Sequence, residues 1–452
     1  MNNYRRERTA DAATTLETES NQQAKSILEI MRQKFALLDY PILIVMVSLI
    51  LISFVMVFSA TMYLRPDELS PPNPFSYLLT QFTATVAGLI GLVIAVGLKY
   101  KFYENIKVLN FVMSALVLGL FSLTIIGSIG GGAQSWLSLG FASFQPSELS
   151  KIASVLILSR LLEDQQREVI LSQEEISNKQ RNTSILLIVV AVLFIFFQPD
   201  LGMVVLIVGT LVIIAMQQYL SAKQNVIMYA MFAGLIGVLN LFSRVASDWL
   251  VNQPSYQLNR IGSFTNPFLY PQHAGYQLIS GYIAFSRGGW FGVGLGQGAT
   301  KRGELPAGHT DFILANIGEE TGLLGIILVI GLLFTLIFMI YRWAAQATSH
   351  FRRNVLFGIA TLFLLQSFIN IGGIAGLIPL TGVTLPFVSY GGSSMLVSIL
   401  TVAIAQVMII EEKVQKQKQL AEAYQKEMEA FESLEKKPQG LTLVHSRKEK
   451  SR

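Results

Sequence analysis

Long apolar stretches separated by short polar ones run through most of this chain. Ten of them predict membrane-crossing helices, near 41–62, 77–98, 108–127, 147–162, 184–197, 201–217, 225–243, 310–341, 355–376 and 392–410. Apolar runs of roughly 17–25 residues are what a helix needs to cross a hydrocarbon core. The fifth and sixth are short and meet at "FFQPDLG", where Pro199 must break or start a helix. Residues 1–37 form a polar N-terminal tail with no signal-peptide pattern. The C-terminal tail, 412–452, is rich in Glu, Lys, Gln and Ala as far as Lys437, a solvated-helix pattern that Pro438 and Gly440 end. Between the tails, 38–411 reads as one membrane domain. No internal repeat of the transporter kind is visible.

Composition agrees. Hydrophobic residues make up 52% and charged ones only 14%, and mean hydropathy is +0.50. A soluble chain carries about 25% charge, and one soluble core could not hide this much apolar area. The fold class is therefore an all-α polytopic membrane protein. There is no cysteine, which excludes disulfides and thiolate metal sites. The net charge of +5 is small and gives no pointer to nucleic acid.

Charge location sets the topology. Lys and Arg cluster in the N-terminal tail (Arg5, Arg6, Arg8, Lys25, Arg32, Lys34) and in alternate connections: Lys99, Lys101 and Lys107; Arg160, Arg167, Lys179 and Arg181; Lys223; Arg342, Arg352 and Arg353. The C-terminal tail is lysine-rich. The first, third, fifth and ninth connections hold only Arg65. Basic loops stay cytoplasmic, so both termini are expected inside. The seventh connection, about 244–309, breaks the alternation with Arg244, Arg260, Arg287, Lys301 and Arg302. It reads either as a solvated loop, since long loops are partly exempt from the rule, or as an external cationic surface for an anionic ligand.

Polar chemistry collects at the outward ends. In "GGGAQSWLSLGFASFQPSELSK", Glu148 and Lys151 are three apart on one helix face. They are either a self-satisfied ion pair or the lining of a cavity. Trp136 is an interfacial anchor or a substrate platform. Asp200 follows Pro199 at a helix start, ordinary N-terminal chemistry. In "LIPLTGVTLPFVSYGGSS", Pro379, Pro386 and the glycines free backbone groups that membrane depth tolerates only against protein or water. Ser389, Tyr390, Ser393 and Ser394 would line such a place.

The stretch "LPAGHTDFILANIGEETGLLG" sets His309, Thr310 and Asp311 at the mouth of an apolar run. Thr310 is the expected N-cap, with Asp311 at the first helical position. Glu319 and Glu320 follow roughly 12–14 Å along the axis at about 1.5 Å per residue, where they must face protein or water. His309, with no second histidine or cysteine nearby, argues against zinc. No cofactor is required by the sequence, and a carboxylate-held magnesium or manganese ion stays open.

Five motifs, "FQPSELSK", "QPDLG", "GGWFGVGLGQG", "LPAGHTDFILANIGEE" and "TGVTLPFVSYGGSS", resemble those of the SEDS proteins, the FtsW/RodA/SpoVE group, over about residues 38–411. "TGVTLPF" looks more like the FtsW/SpoVE branch. The resemblance implies ten helices with both ends inside a bacterial plasma membrane. It also implies polymerisation of lipid II into β-1,4-linked glycan strands on the outer face, beside a class B penicillin-binding protein and other division or elongation proteins. The family's catalytic aspartate falls at Asp311, its motif carboxylate and lysine at Glu148 and Lys151, and its tryptophan at Trp136. Where the family often has arginine before that tryptophan, this chain has Ser135.

The residues fit such a reaction. Asp311 suits a general base for a sugar hydroxyl. Arg260, Arg287, Lys301, Arg302 or Lys151 could stabilise an anionic pyrophosphate leaving group. His309, Ser389 and Tyr390 complete the expected substrate surface, with Asp200, Glu319, Glu320 and Pro386 shaping the cavity. Two other classes compete: a flippase for the lipid-linked precursor, whose membrane groove would also carry buried charges, and a scaffold for the transpeptidase without activity of its own.

Overall fold

Every one of the ten apolar stretches coincides with a long helix: α1 (Tyr40–Thr61), α2 (Pro74–Gly97), α3 (Ile106–Ile126), α4 (Pro146–Arg167), α5 (Asn178–Phe197), α6 (Leu201–Tyr219), α7 (Ala222–Val245), α8 (Ile313–Gln346), α9 (His350–Ile374) and α10 (Gly392–Glu435). The structure, a computed structural model, describes residues 29–435 apart from 65–72, 127, 131–132, 139–142, 168–175, 220–221, 253–255, 265, 272–273, 303–304 and 306. The expected break at Pro438 and Gly440, and the first 28 residues, lie outside the described residues. Eight of the helices, all but α4 and α7, are long and apolar enough to cross a membrane among the described residues.

Local chemistry starts the helices. The Asp39 carboxylate accepts from the Ile42 N–H at 3.3 Å and caps α1, with Pro41 in its first turn. Asn73 does the same for α2 from Ser76, again with a proline following. Asp200 caps α6 through the Met203 N–H at 3.2 Å, so Pro199 lies between two helices rather than at the first position of one.

Close helix contact depends on missing side chains. A Cβ at Gly88 of α2 would lie 2.9 Å from Ile399 Cδ1 of α10, and one at Gly91 2.6 Å from Leu400 Cδ2. Without a hydrophobic drive inside lipid, such small residues let helices approach and gain dispersion contact. Gly358 of α9 meets Val155 of α4 and Ile214 of α6, at 2.6 and 2.7 Å from its ideal Cβ. α9 and the first half of α10 lie mostly inside the bundle, and α3 and α5 turn much of their surface outward. Past the bundle, α10 continues as an exposed helix, as the composition of 411–437 predicts.

Three features differ from the sequence expectations. The third connection contains a small antiparallel sheet, β1 (Ser128–Gly130), β2 (Ala133–Ser138) and β3 (Ser143–Phe144), in the order β1-β2-β3. The seventh connection is no plain loop: it holds helices at Ser247–Val251, Tyr256–Ser263 and Ala274–Gly288. Finally, α8 starts at Ile313, not at 310, and breaks its helical geometry at Gly322, with φ 71° and ψ −167°. Only glycine adopts that conformation readily. The glycine-rich turn after Ala274–Gly288 docks there: Val293 and Gly294 donate to the Glu319 and Glu320 carbonyls at 2.9 and 3.0 Å.

Candidate active site

The α9–α10 connection, residues 375–391, has almost no helical hydrogen bonds of its own. Side chains from the surrounding helices take their place. Gln366 Nε2 donates to the Thr384 carbonyl at 3.0 Å and Asn370 Nδ2 to that of Val383 at 2.8 Å. Arg260 Nη1 reaches the Leu380 carbonyl at 3.2 Å. Gln81 of α2 donates to the Ser389 carbonyl and accepts from the Gly391 N–H. Inside the strap the Ser389 hydroxyl accepts from the Leu385 N–H at 2.8 Å, and Ser389 and Pro386 are buried. The Ser389 hydroxyl thus serves the strap's own turn. The backbone that membrane depth would penalise is satisfied by protein.

Asp311 abuts this strap. It sits in a turn spanning 307–312 ahead of α8. Thr310 is not the N-cap: its hydroxyl donates to Asp311 Oδ1 at 3.0 Å, and the residue before α8, Phe312, makes no side-chain cap. Asn370 Nδ2 donates to the Asp311 carbonyl at 2.8 Å. Loss of solvent pushes the Asp311 carboxyl above its usual range, with the Arg260 charge pulling the other way. The carboxyl is therefore more basic than an ordinary aspartate.

Beside it, His309, Tyr77 and Tyr390 form a triangle of rings with centroids 5.2–5.5 Å apart. The Tyr390 N–H donates to the His309 carbonyl at 2.9 Å, tying strap to turn. Burial pushes His309 down to about 4, so its ring is neutral at pH 7.

Glu148 and Lys151 form the expected pair, 2.7 Å apart and fully inside the bundle. Lys151 Nζ also donates to Gln366 Oε1 at 3.0 Å. One turn earlier, Gln145 bridges to Asp200 at 3.0 Å, and its N–H donates to the Ser393 hydroxyl at 3.1 Å. Asp200 thus links the α6 start to the α4 start. Trp136, half-buried on β2, pairs with Ser128 across the sheet. Ser135, where the family often has arginine, lies on the same strand.

The candidate cations sort differently from expectation. Lys301, like Lys151, is held in a buried ion pair. Its Nζ lies 2.6 Å from Glu320 and 3.0 Å from the Ser59 hydroxyl, fully buried, because an ammonium at this depth needs a carboxylate. Glu319 accepts from the Ala299 N–H at 3.0 Å and from the Thr300 hydroxyl, with Arg287 at 3.8 Å. The two glutamates therefore staple the loop to α8. Arg302 is exposed over the Tyr63 ring, 5.3 Å from its centroid. Arg260 is the cation that acts on Asp311. Among the described residues, no three His, Asp or Glu side chains converge as a metal site.

Gln81, Gln145, Gln366 and Asn370 are absent from the sequence expectations. The signal was present for two of them: Gln366 and Asn370 are amides four apart within an otherwise apolar helix, "LFLLQSFINIGG", and polar groups in such places are costly unless they serve a structure or a site.

The family model of the FtsW/RodA/SpoVE cell cycle proteins matches residues 40–416. A probable peptidoglycan glycosyltransferase FtsW of Trichlorobacter lovleyi is 31% identical over 380 residues, covering 84% of this chain and 95% of that one. One of the same description from Bacillus subtilis is 32% identical over 363 residues, covering 79% and 87%. Among solved structures, a chain of a peptidoglycan synthase complex that coordinates polymerisation and crosslinking shares the fold with TM-score 0.61 at 23% identity, over 83% of this chain and 98% of that one. Thermus thermophilus RodA, a rod-shape determining protein, gives 0.56 at 22% identity, over 83% and 97%.

Proposed function

The chain belongs to the FtsW/RodA/SpoVE family, and we propose that it is a peptidoglycan glycosyltransferase that polymerises lipid II on the outer face of the bacterial plasma membrane. The observation that carries this reading is a pair of ties along α9: Asn370 holds the turn of the buried Asp311 by its main-chain carbonyl, under the charge of Arg260, and Gln366, one turn earlier, holds Lys151 of the Lys151–Glu148 pair. The relatives named probable peptidoglycan glycosyltransferases support the reaction class.

In the proposed step the acceptor sugar hydroxyl attacks the donor's anomeric carbon. Its proton passes to the Asp311 carboxylate as the new C–O bond forms. The bond from that carbon to the pyrophosphate breaks, and the electron pair leaves on the polyprenyl pyrophosphate. Displacement from the opposite side gives a β-linkage. Arg260 and the exposed Arg302 stabilise the departing charge, and the buried Lys151–Glu148 pair shapes the field around them. His309, neutral, and the rings of Tyr77 and Tyr390 form the wall for a sugar face. A divalent ion on the pyrophosphate is compatible with this arrangement.

We assign ten crossings, counting the charged α4 and the less apolar α7, with both tails cytoplasmic and the 244–309 connection outside. The basic loops support that topology. A class B transpeptidase is the proposed partner, consistent with the synthase complex that shares this fold. At the opposite end of the bundle Arg352 pairs with Glu412 at 2.9 Å and Trp343 donates to Asp39 at 2.7 Å, all part-buried or buried.

The test is purified full-length chain with lipid II, with and without the transpeptidase, read as glycan strands on a gel. Strand synthesis is expected. Movement of lipid II between leaflets without strands would indicate the flippase, and neither outcome a scaffold.

A further inference from the structure

Gln366 and Asn370 stand one turn apart on the same face of α9. Both are buried, at 1% and 4% exposure. Primary amides in such a place are unfavourable unless their groups are paired. Gln366 Oε1 accepts from Lys151 at 3.0 Å and its Nε2 donates to the Thr384 carbonyl at 3.0 Å. Asn370 Nδ2 donates to two carbonyls, of Asp311 and Val383, each at 2.8 Å. Neither amide can be flipped: that would set an amide oxygen against carbonyl oxygens and an amide nitrogen against an ammonium. Asn370 Oδ1 has no hydrogen-bond partner among the described residues, so Asn370 is kept at a cost for what its nitrogen does.

We propose that Gln366 and Asn370 are positioning residues for the transfer reaction, holding Lys151 and Asp311 against successive carbonyls of one strap so that the two centres act as a single site. This rests on the polymerase reading. The need is physical. Asp311 lies in a turn outside α8, where no helical ladder fixes it, and Asn370 joins that turn to the strap. Lys151 without Gln366 would keep Glu148 alone. Neither amide touches the reacting atoms; each acts through the residue it holds.

The experiment compares full-length Asn370→Ala, Asn370→Ser and Gln366→Ala with wild type in the lipid II assay, with folded fraction measured for each. Each alanine variant is expected to keep KM for lipid II within about twofold and to lose about 10²-fold in kcat, the order that a 1 Å misplacement costs. Asn370→Ser, retaining one donor, should fall between, and it carries the comparison if the alanine variant fails to fold. The double variant Asp311→Asn/Asn370→Ala should polymerise no more slowly than Asp311→Asn alone. Hydrogen exchange should rise at 307–312 and 380–385 together in the Asn370 variants, with the rest of the bundle unchanged. Additive losses in the double variant, a loss explained wholly by folded fraction, or unchanged exchange at both segments would overturn the proposal. A wild-type chain that makes no glycan would instead remove the polymerase reading, and exchange would still decide the tie.

Discussion

Lys301 turns inward to Glu320: their charged atoms are 2.6 Å apart and both side chains are 1% exposed. Removing one member of such a buried pair leaves an uncompensated charge and typically costs about 3–5 kcal/mol. Lys301→Ala is therefore expected to lower thermal stability by that order and to leave KM for lipid II unchanged in the folded fraction. Lys301→Met combined with Glu320→Gln should recover much of the loss. A well-folded Lys301→Ala protein with a raised KM would return this lysine to the substrate surface.

Gly322 and Gly292 lock the loop to the break in α8. A Cβ on Gly322 would lie 2.4 Å from the Trp290 carbonyl oxygen, and one on Gly292, at φ 78°, 2.2 Å from that of Glu320. Backbone strain alone at such positions costs about 1–3 kcal/mol, and the clash adds to it. Either Gly→Ala change should depress the melting temperature and folded yield. Wild-type stability in both variants would show that the loop does not seat on the kink.

How much of this was legible beforehand follows the physics of each signal. Sustained apolar runs mark helices, and each of the ten stretches meets a long helix, although α4 and α7 are not apolar enough to count as membrane spans among the described residues. Their ends depend on which side chain caps which N–H, a contest decided locally: Thr310 gave its hydroxyl to Asp311, and α8 began two residues after Asp311. Glu148 and Lys151 met because three residues along a helix set their distance. Lys301 could not be read from its loop, because its partner is nineteen positions away in a different element. The strap's side-chain hydrogen bonds come from Gln81, Arg260, Gln366 and Asn370 on three helices, and only packing brings these together. The strands within 128–144 run only two to six residues among glycines, so little alternation marks them in the sequence.

Glu148→Gln separates a structural pair from a working one. If the pair only stabilises the bundle, the neutral variant should fold poorly, since Lys151 is left with Gln366 alone. If it sets the leaving-group charge, the variant should fold and polymerise at a small fraction of the wild-type rate, with lipid II binding retained. Full activity in a well-folded variant removes both Glu148 and Lys151 from the site.

Topology can be read with single cysteines, because the chain has none. Tyr270→Cys in the 244–309 connection is expected to react with an impermeant maleimide on intact cells. Met428→Cys on the exposed end of α10 should react only after the membrane is opened. Reversed labelling would put the proposed active site on the wrong face.

Asp311 itself gives the sharpest test. As a base it must be ionised, so activity should fall as pH drops through its pKa. Burial raises that pKa, and the acid limb of kcat should lie above the ordinary carboxylate value of 3.8. His309, held down to about 4 by burial, stays neutral across the neutral range and contributes no limb near 6.5. Arg260 opposes the rise, since its charge favours the carboxylate. Arg260→Gln should therefore move the acid limb to higher pH, in addition to slowing the reaction. Asp311→Asn abolishes the base while keeping size, and general-base assistance is worth about 10²–10⁴-fold, so strand synthesis should fall by that order with lipid II binding largely kept. Near-equal synthesis by Asp311→Asn and wild type, both with the transpeptidase present, removes Asp311 as the base. An acid limb that stays in place in Arg260→Gln removes the coupling between the two residues.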